Sequence, residues 1–87
     1  MFIVCRKKGS REFVHFALRD GERTSVYGIQ LIHAEGFVRI EKPIFFGLHR
    51  KTSMIQPDNS LNLDGHLFFA ASTEHAILRF VAGQSSV

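Results

Sequence analysis

The chain has a single cysteine, no tryptophan, one tyrosine and two prolines in 87 residues. A lone thiol excludes an intrachain disulfide, so an apolar core must hold the fold. Cys5, between Val4 and Arg6, reads as a small buried hydrophobe. The five histidines, His15, His33, His49, His66 and His75, are spread so widely that no pair has the close spacing of zinc ligands. No apolar run nears the ~20 residues of a membrane span. Met1-Phe2-Ile3-Val4 is too short for the core of a secretory signal, and its positive charges follow it instead of preceding it. These absences predict a cytoplasmic protein with no membrane partner.

Motifs of catalysis are also missing. There is no Gly-x-Ser-x-Gly elbow. The only helix start, Ala71-Ser72-Thr73-Glu74, has no glycine, and Glu74 would repel a phosphate. Asp64 and His66 could act as an acid–base pair, but a hairpin tip gives little burial with which to tune them. The expectation is a protein that is not an enzyme and that carries no cofactor and no metal.

What is abundant is phenylalanine, nine residues in all, within a chain that is 45% hydrophobic and 22% charged. Each buried Phe contributes about 1.5–3 kcal/mol, and this composition belongs to an ordered domain. The length fits one domain, residues 1–87. Its net charge is +3 and its isoelectric point is near 9.5, which permits an anionic partner without requiring one.

Short apolar segments alternate with turn signals. Phe2–Arg6 is apolar on both faces, which predicts a strand in the middle of a sheet or a barrel wall. Strands are also expected at Glu12–Arg19, Thr24–Ala34, Phe37–Glu41 and Ile44–Leu48. Leu61–Leu63 and Leu67–Ala70 read as a last hairpin about Asp64-Gly65. Asp20-Gly21 is a strong hairpin signal, Glu35-Gly36 is a further turn, and Gly28 suggests a bend or bulge within its strand. Pro43 ends a strand or marks an edge, and Thr52–Ser60 is the weakest stretch for regular structure, with Pro57-Asp58-Asn59-Ser60 a loop by composition. The fold class expected is α+β: a strongly curved antiparallel sheet or small β-barrel of about six short strands with one C-terminal helix.

That helix begins at Ser72-Thr73-Glu74, with Ser72 or Thr73 as N-cap, and should stop at Gly83, leaving Gln84–Val87 to fray. At roughly 100° per residue, Ala76, Ile77, Leu78, Phe80, Val81 and Ala82 cover more than half its circumference. A helix lying on one small sheet needs a narrower stripe. The surplus predicts a homodimer, or a protein partner, meeting Ile77, Leu78, Phe80 and Val81.

Two segments concentrate positive charge: Arg6, Lys7, Lys8 and Arg11, and then Arg50 and Lys51 after His49. Charges on hairpins usually sit in water. If both segments fell on one side, they could follow a phosphate backbone, with Phe45 and Phe46 offering rings for stacking. The leading expectation is a non-enzymatic binding module, a homodimeric accessory, adaptor or inhibitor protein. Nucleic-acid binding by the basic residues is the alternative. A barrel that holds a small ligand, or an enzyme without a recognisable motif, is the further one.

Overall fold

The computed structural model describes residues 1–85. Eight strands precede one helix: β1 (Phe2–Arg6), β2 (Phe13–Ala17), β3 (Arg23–Val26), β4 (Ile29–Ala34), β5 (Phe37–Ile44), β6 (His49–Ile55), β7 (Asn59–Leu63), β8 (His66–Ala71) and α1 (Glu74–Ser85). They form two four-stranded antiparallel sheets, ordered β2-β1-β8-β7 and β3-β4-β5-β6. The α+β class and the C-terminal helix stand, but in place of one curved sheet or barrel the strands divide between two sheets.

Strand alternation explains the layering. In the first sheet Ile3, Cys5, Phe68 and Ala70 face the second sheet and meet Ile29, Leu31, Val38, Ile40 and Ile55 in the main core. The neighbouring positions Val4, Phe69 and Ala71 point the other way and form a second cluster with Ile77 of the helix. β1 is therefore apolar on both faces because it lies in the middle layer of three. Phe68 is the largest of the fully buried side chains.

Four local readings change. Thr24–Ala34 is two strands, because Tyr27 and Gly28 both take positive φ, 53° and 74°, and close a two-residue hairpin. Ile44–Leu48 is mostly a turn: β5 runs through Pro43 to Ile44, and Phe45–Leu48 reverse the chain. Thr52–Ser60 is mostly strand, and only Gln56, Pro57 and Asp58 lie between β6 and β7. Asp20-Gly21 does turn the chain, but the segment carries it from one sheet to the other.

Thr73 caps the helix, its Oγ1 accepting the Ala76 N–H at 3.2 Å. Glu74 in the first turn complements the dipole. Gly83 keeps a helical backbone, so the helix runs on through Gln84 to Ser85. The rest of the tail expected to fray lies outside the described residues.

Phe68→Ala should cost about 3–5 kcal/mol of folding free energy. Leu78→Ala, at a residue 55% exposed on the helix, should change it by no more than about 0.5 kcal/mol. Urea denaturation of the two variants measures the contrast.

Candidate functional site

Strand direction decides which turns meet. Lys7–Glu12, Tyr27-Gly28, Phe45–Leu48 and Asp64-Gly65 lie at one end of the two facing sheets. Contacts across the sheets hold that end together. Lys42 pairs with Asp64. The Lys8 N–H donates to His66 Nδ1 at 2.9 Å, and the Tyr27 and His66 rings stand 5.1 Å apart. At the opposite end the Gly21 N–H donates to the His33 carbonyl at 2.8 Å, and His33 Nδ1 lies 3.1 Å from the Leu18 carbonyl.

This arrangement separates charge. The first end gathers Lys7, Lys8, Arg11, Lys42, Arg50 and Lys51 against Glu12, Glu41 and Asp64. The turns of the other end carry Asp20, Glu22, Glu35, Asp58 and, at the helix start, Glu74, with Arg19 and Arg23 among them. A modest net charge thus hides a dipolar molecule, whose field draws an anion to one end.

The two basic segments picked out in the sequence therefore share an end. Lys51 lies opposite Lys42 in the β5–β6 ladder, Lys42 pairs with Asp64, and Gly65 packs against the Lys8 side chain. Among the described residues Lys7, Lys8, Arg11 and Lys51 are in no ion pair. Arg50 Nη1 lies 3.2 Å from Glu41 Oε2, an exposed pair that a phosphate could displace at small cost. Arg39 Nε sits 3.1 Å from Glu41 Oε1 but lacks the alignment of a hydrogen bond, so the contact is electrostatic. Arg6 stands apart, its guanidinium 5.2 Å from the Phe13 ring centre on the helix side of the sheet.

Past this end projects an arm. β4 pairs with β5 only as far as Glu41, whereas β5 and β6 continue as a two-stranded ladder through Lys42–Lys51, Pro43–Arg50 and Ile44–His49. Pro43 is tolerated there because no further strand needs its missing N–H. The tip exposes Phe45, Phe46 and Leu48 at 68%, 106% and 81%. Phe45, Phe46 and Gly47 all have positive φ, 51°, 56° and 85°. Bulky side chains rarely take that conformation, and observed strain of this kind concentrates at working sites. Sequence reading missed the arm because Ile-Phe-Phe looks like strand. The bracketing Pro43 and Gly47 were the available sign of a turn.

The helix residues expected at a dimer contact are mostly occupied within the chain. Ile77 is 2% exposed. Phe80 stacks on Phe69 with ring centres 4.1 Å apart and meets the Phe13 edge at 6.3 Å. Val81 packs on the same cluster. The wide apolar stripe answers an apolar outer face on the first sheet, and Leu78 is what remains exposed. The Asp64–His66 pair is divided between other partners, Lys42 and Lys8. Among the described residues no three His, Cys, Asp or Glu side chains gather to hold a metal ion. Shallow recesses of about 250 and 140 Å³ lie beside the helix start, lined by His15 and Glu74 among others, and at the root of the arm, lined by Gln30, Glu41 and Arg50.

No protein-family model, no curated protein and no solved structure matches this chain. No helix among the described residues is long and apolar enough to cross a membrane.

Burial pushes the Cys5 thiol from its ordinary 9.0 up to about 11. Desolvation also raises the Tyr27 hydroxyl, with the nearby Cys5 charge adding to it and a backbone contact from Lys7 opposing it. Cys5 is a thiol at neutral pH and a poor nucleophile. The folded state keeps that proton when the unfolded chain releases it. The stabilisation is complete below pH 9 and is lost as pH rises towards 11, by about 2–3 kcal/mol from this group. Cys5→Ala should show a smaller loss over the same window when urea unfolding is followed at pH 8 and pH 11.

Proposed function

We propose that this chain is a non-enzymatic binding module whose basic end takes a single strand of nucleic acid. The observation that carries the reading is the convergence of Lys7, Lys8 and Arg11 with Lys42 and Lys51 at one end of the sheets, beside an arm tipped with exposed Phe45, Phe46 and Leu48. Cations spaced across an end can follow a phosphate backbone, and projecting rings can stack on bases whatever their sequence. A single strand suits this end better than a duplex. No helix is there to enter a major groove, and an unpaired base leaves its face open to a ring.

A protein partner seated on the same tip is the second reading, and it keeps the expectation of an adaptor or inhibitor. The large exposure of Phe46 and Leu48 favours it. The two readings differ in their response to salt. Counterion release makes phosphate binding fall steeply as salt rises, whereas an apolar protein contact changes little.

Fluorescence anisotropy with labelled oligothymidylate and oligouridylate, between 50 and 300 mM salt, tests the reading. The expected result is a linear fall of log affinity with log salt, and the slope should shrink by about 0.7 for each phosphate contact removed in Lys8→Gln or Lys51→Gln. Phe46→Asn should leave the slope unchanged and weaken binding by about 1–3 kcal/mol, the value of one stacked base. The same variant should keep or raise folding stability by up to about 1 kcal/mol, because Asn adopts positive φ more readily than Phe. No binding at 50 mM salt, or binding indifferent to salt, would overturn the proposal.

A further inference from the structure

Each sheet leaves two edges, and of the four edge strands β2 is the most apolar. β3 is a four-residue strand that starts at exposed Arg23. β6 carries Arg50 and Lys51. β7 presents the polar side chains of Ser60 and Asn62 on the face it shares with the helix. Natural edges are blunted by shortness and by charge. β2, with the sequence Phe13-Val14-His15-Phe16-Ala17, has neither charge nor proline.

Its backbone is also set to pair. Met1 and Leu18 exchange two bonds, the Met1 amine donating to the Leu18 carbonyl at 2.8 Å and the Leu18 N–H to the Met1 carbonyl at 2.9 Å. Antiparallel ladders alternate bonded and non-bonded pairs. The bonded pairs that follow are Ile3–Phe16 and Cys5–Val14. Phe13, His15 and Ala17 therefore turn their N–H and C=O groups outward, and among the described residues no strand meets them on that side.

We propose that β2 is the pairing edge of a homodimer, running antiparallel to β2 of a second copy with His15 opposite His15 of that copy. This register has a physical reason. It alone makes all three outward residues into bonded pairs, six backbone hydrogen bonds in total by the alternation rule. It also matches size across the two-fold axis, setting Phe13 against Ala17 and Val14 against Phe16. Val14, 41% exposed at the open edge of the core, is covered by the second copy. A strand that fits itself in size and in bonding suits an isologous contact. Leu78 lies on the adjoining flank of the helix, because it follows Glu74 by four residues and Glu74 lines the recess beside β2. The inference does not rest on the nucleic-acid reading, and either can fail without the other.

The test is the mass of the full chain by light scattering from micromolar to millimolar concentration, with variants at the edge. The expected wild type is a dimer whose mass does not respond to salt. Ala17→Pro removes only an outward N–H, and Val14→Lys places a charge at the seam. Each should raise the dissociation constant at least about tenfold, because each loss is repeated by symmetry, while circular dichroism stays that of the wild type. His15→Cys should form a disulfide-linked dimer on mild oxidation, since bonded antiparallel pairs have Cα atoms about 5.5 Å apart. Ala17→Cys, facing position 13, should not. The native thiol of Cys5 is fully buried and does not compete. A wild type that stays monomeric at millimolar concentration would overturn the proposal. A dimer that survives both edge variants, or one that yields only to Leu78→Glu, would equally refute it.

Discussion

The first sheet has no polar face to offer water at its centre. Val4 and Phe69 point to one side, and Ile3, Cys5, Phe68 and Ala70 to the other. A sheet apolar on both faces must be covered twice. The second sheet covers one face, and the helix covers the other, with Ile77 at the centre of its contact and Phe80 stacked on Phe69. The third layer, the second sheet, alternates regularly and faces outward with Arg39 and Glu41. A chain of this length that fills three layers spends nearly all its apolar side chains on its own core. Those left outside, Phe45, Phe46, Leu48, Met54, Val14 and Leu78, are few enough that their positions carry information.

Half of those residues sit on the tip of one arm, and the arm is where the fold is least determined by packing. The core fixes β5 and β6 up to the Glu41–Thr52 pair, and beyond it only the two-stranded ladder continues. An isolated hairpin is marginal in water. Phe45 and Phe46 at positive φ weaken it further, and among the described residues the one ring contact of either is Phe45–His49 at 5.6 Å. Polar turn residues would make a more stable arm. Retaining two phenylalanines there is a cost in folding, which a bound partner would offset by covering them.

Much of this was legible in the sequence, and the illegible part has a definite cause. The double apolar face of Phe2–Arg6 located the middle layer. Glu35-Gly36 and Asp64-Gly65 located two hairpins, and Thr73 with Glu74 located the helix start. These are local signals, each decided within a few residues. Tyr27-Gly28 was missed as a turn because Tyr favours strands, and the tip was read as strand for the same reason. The width of the helix stripe was visible, but the surface beneath it was not, so an intrachain contact looked like a surplus. The meeting of Lys8 with Gly65 and His66, and of Lys42 with Asp64, depends on which strands face each other across two sheets. No local pattern encodes that, so the grouping of the basic segments could be posed as a condition and not as a result.

Strand direction also decides whether the basic end and the free edge can work together. A two-fold axis that pairs β2 with its copy runs normal to the sheet and reverses the strands. The helices of both copies then lie on one face, and the two basic ends point in opposite directions along the strands. Neither arm lies in the seam, so pairing does not cover Phe46 or Lys51. Two separated anion-binding sites on one rigid sheet would hold two strands, or two parts of one strand, with an avidity set by the length between them. Pairing would also bring together the outward groups of Phe13, His15 and Ala17 in a strand that carries no formal charge, while the same register carried past the strand sets Arg11 against Arg19 of the second copy at each end, a like-charge pair that opposes any lengthening of the seam. The charge flanking β2 sits in the loops at either end, so the neutral seam is confined to Phe13–Ala17.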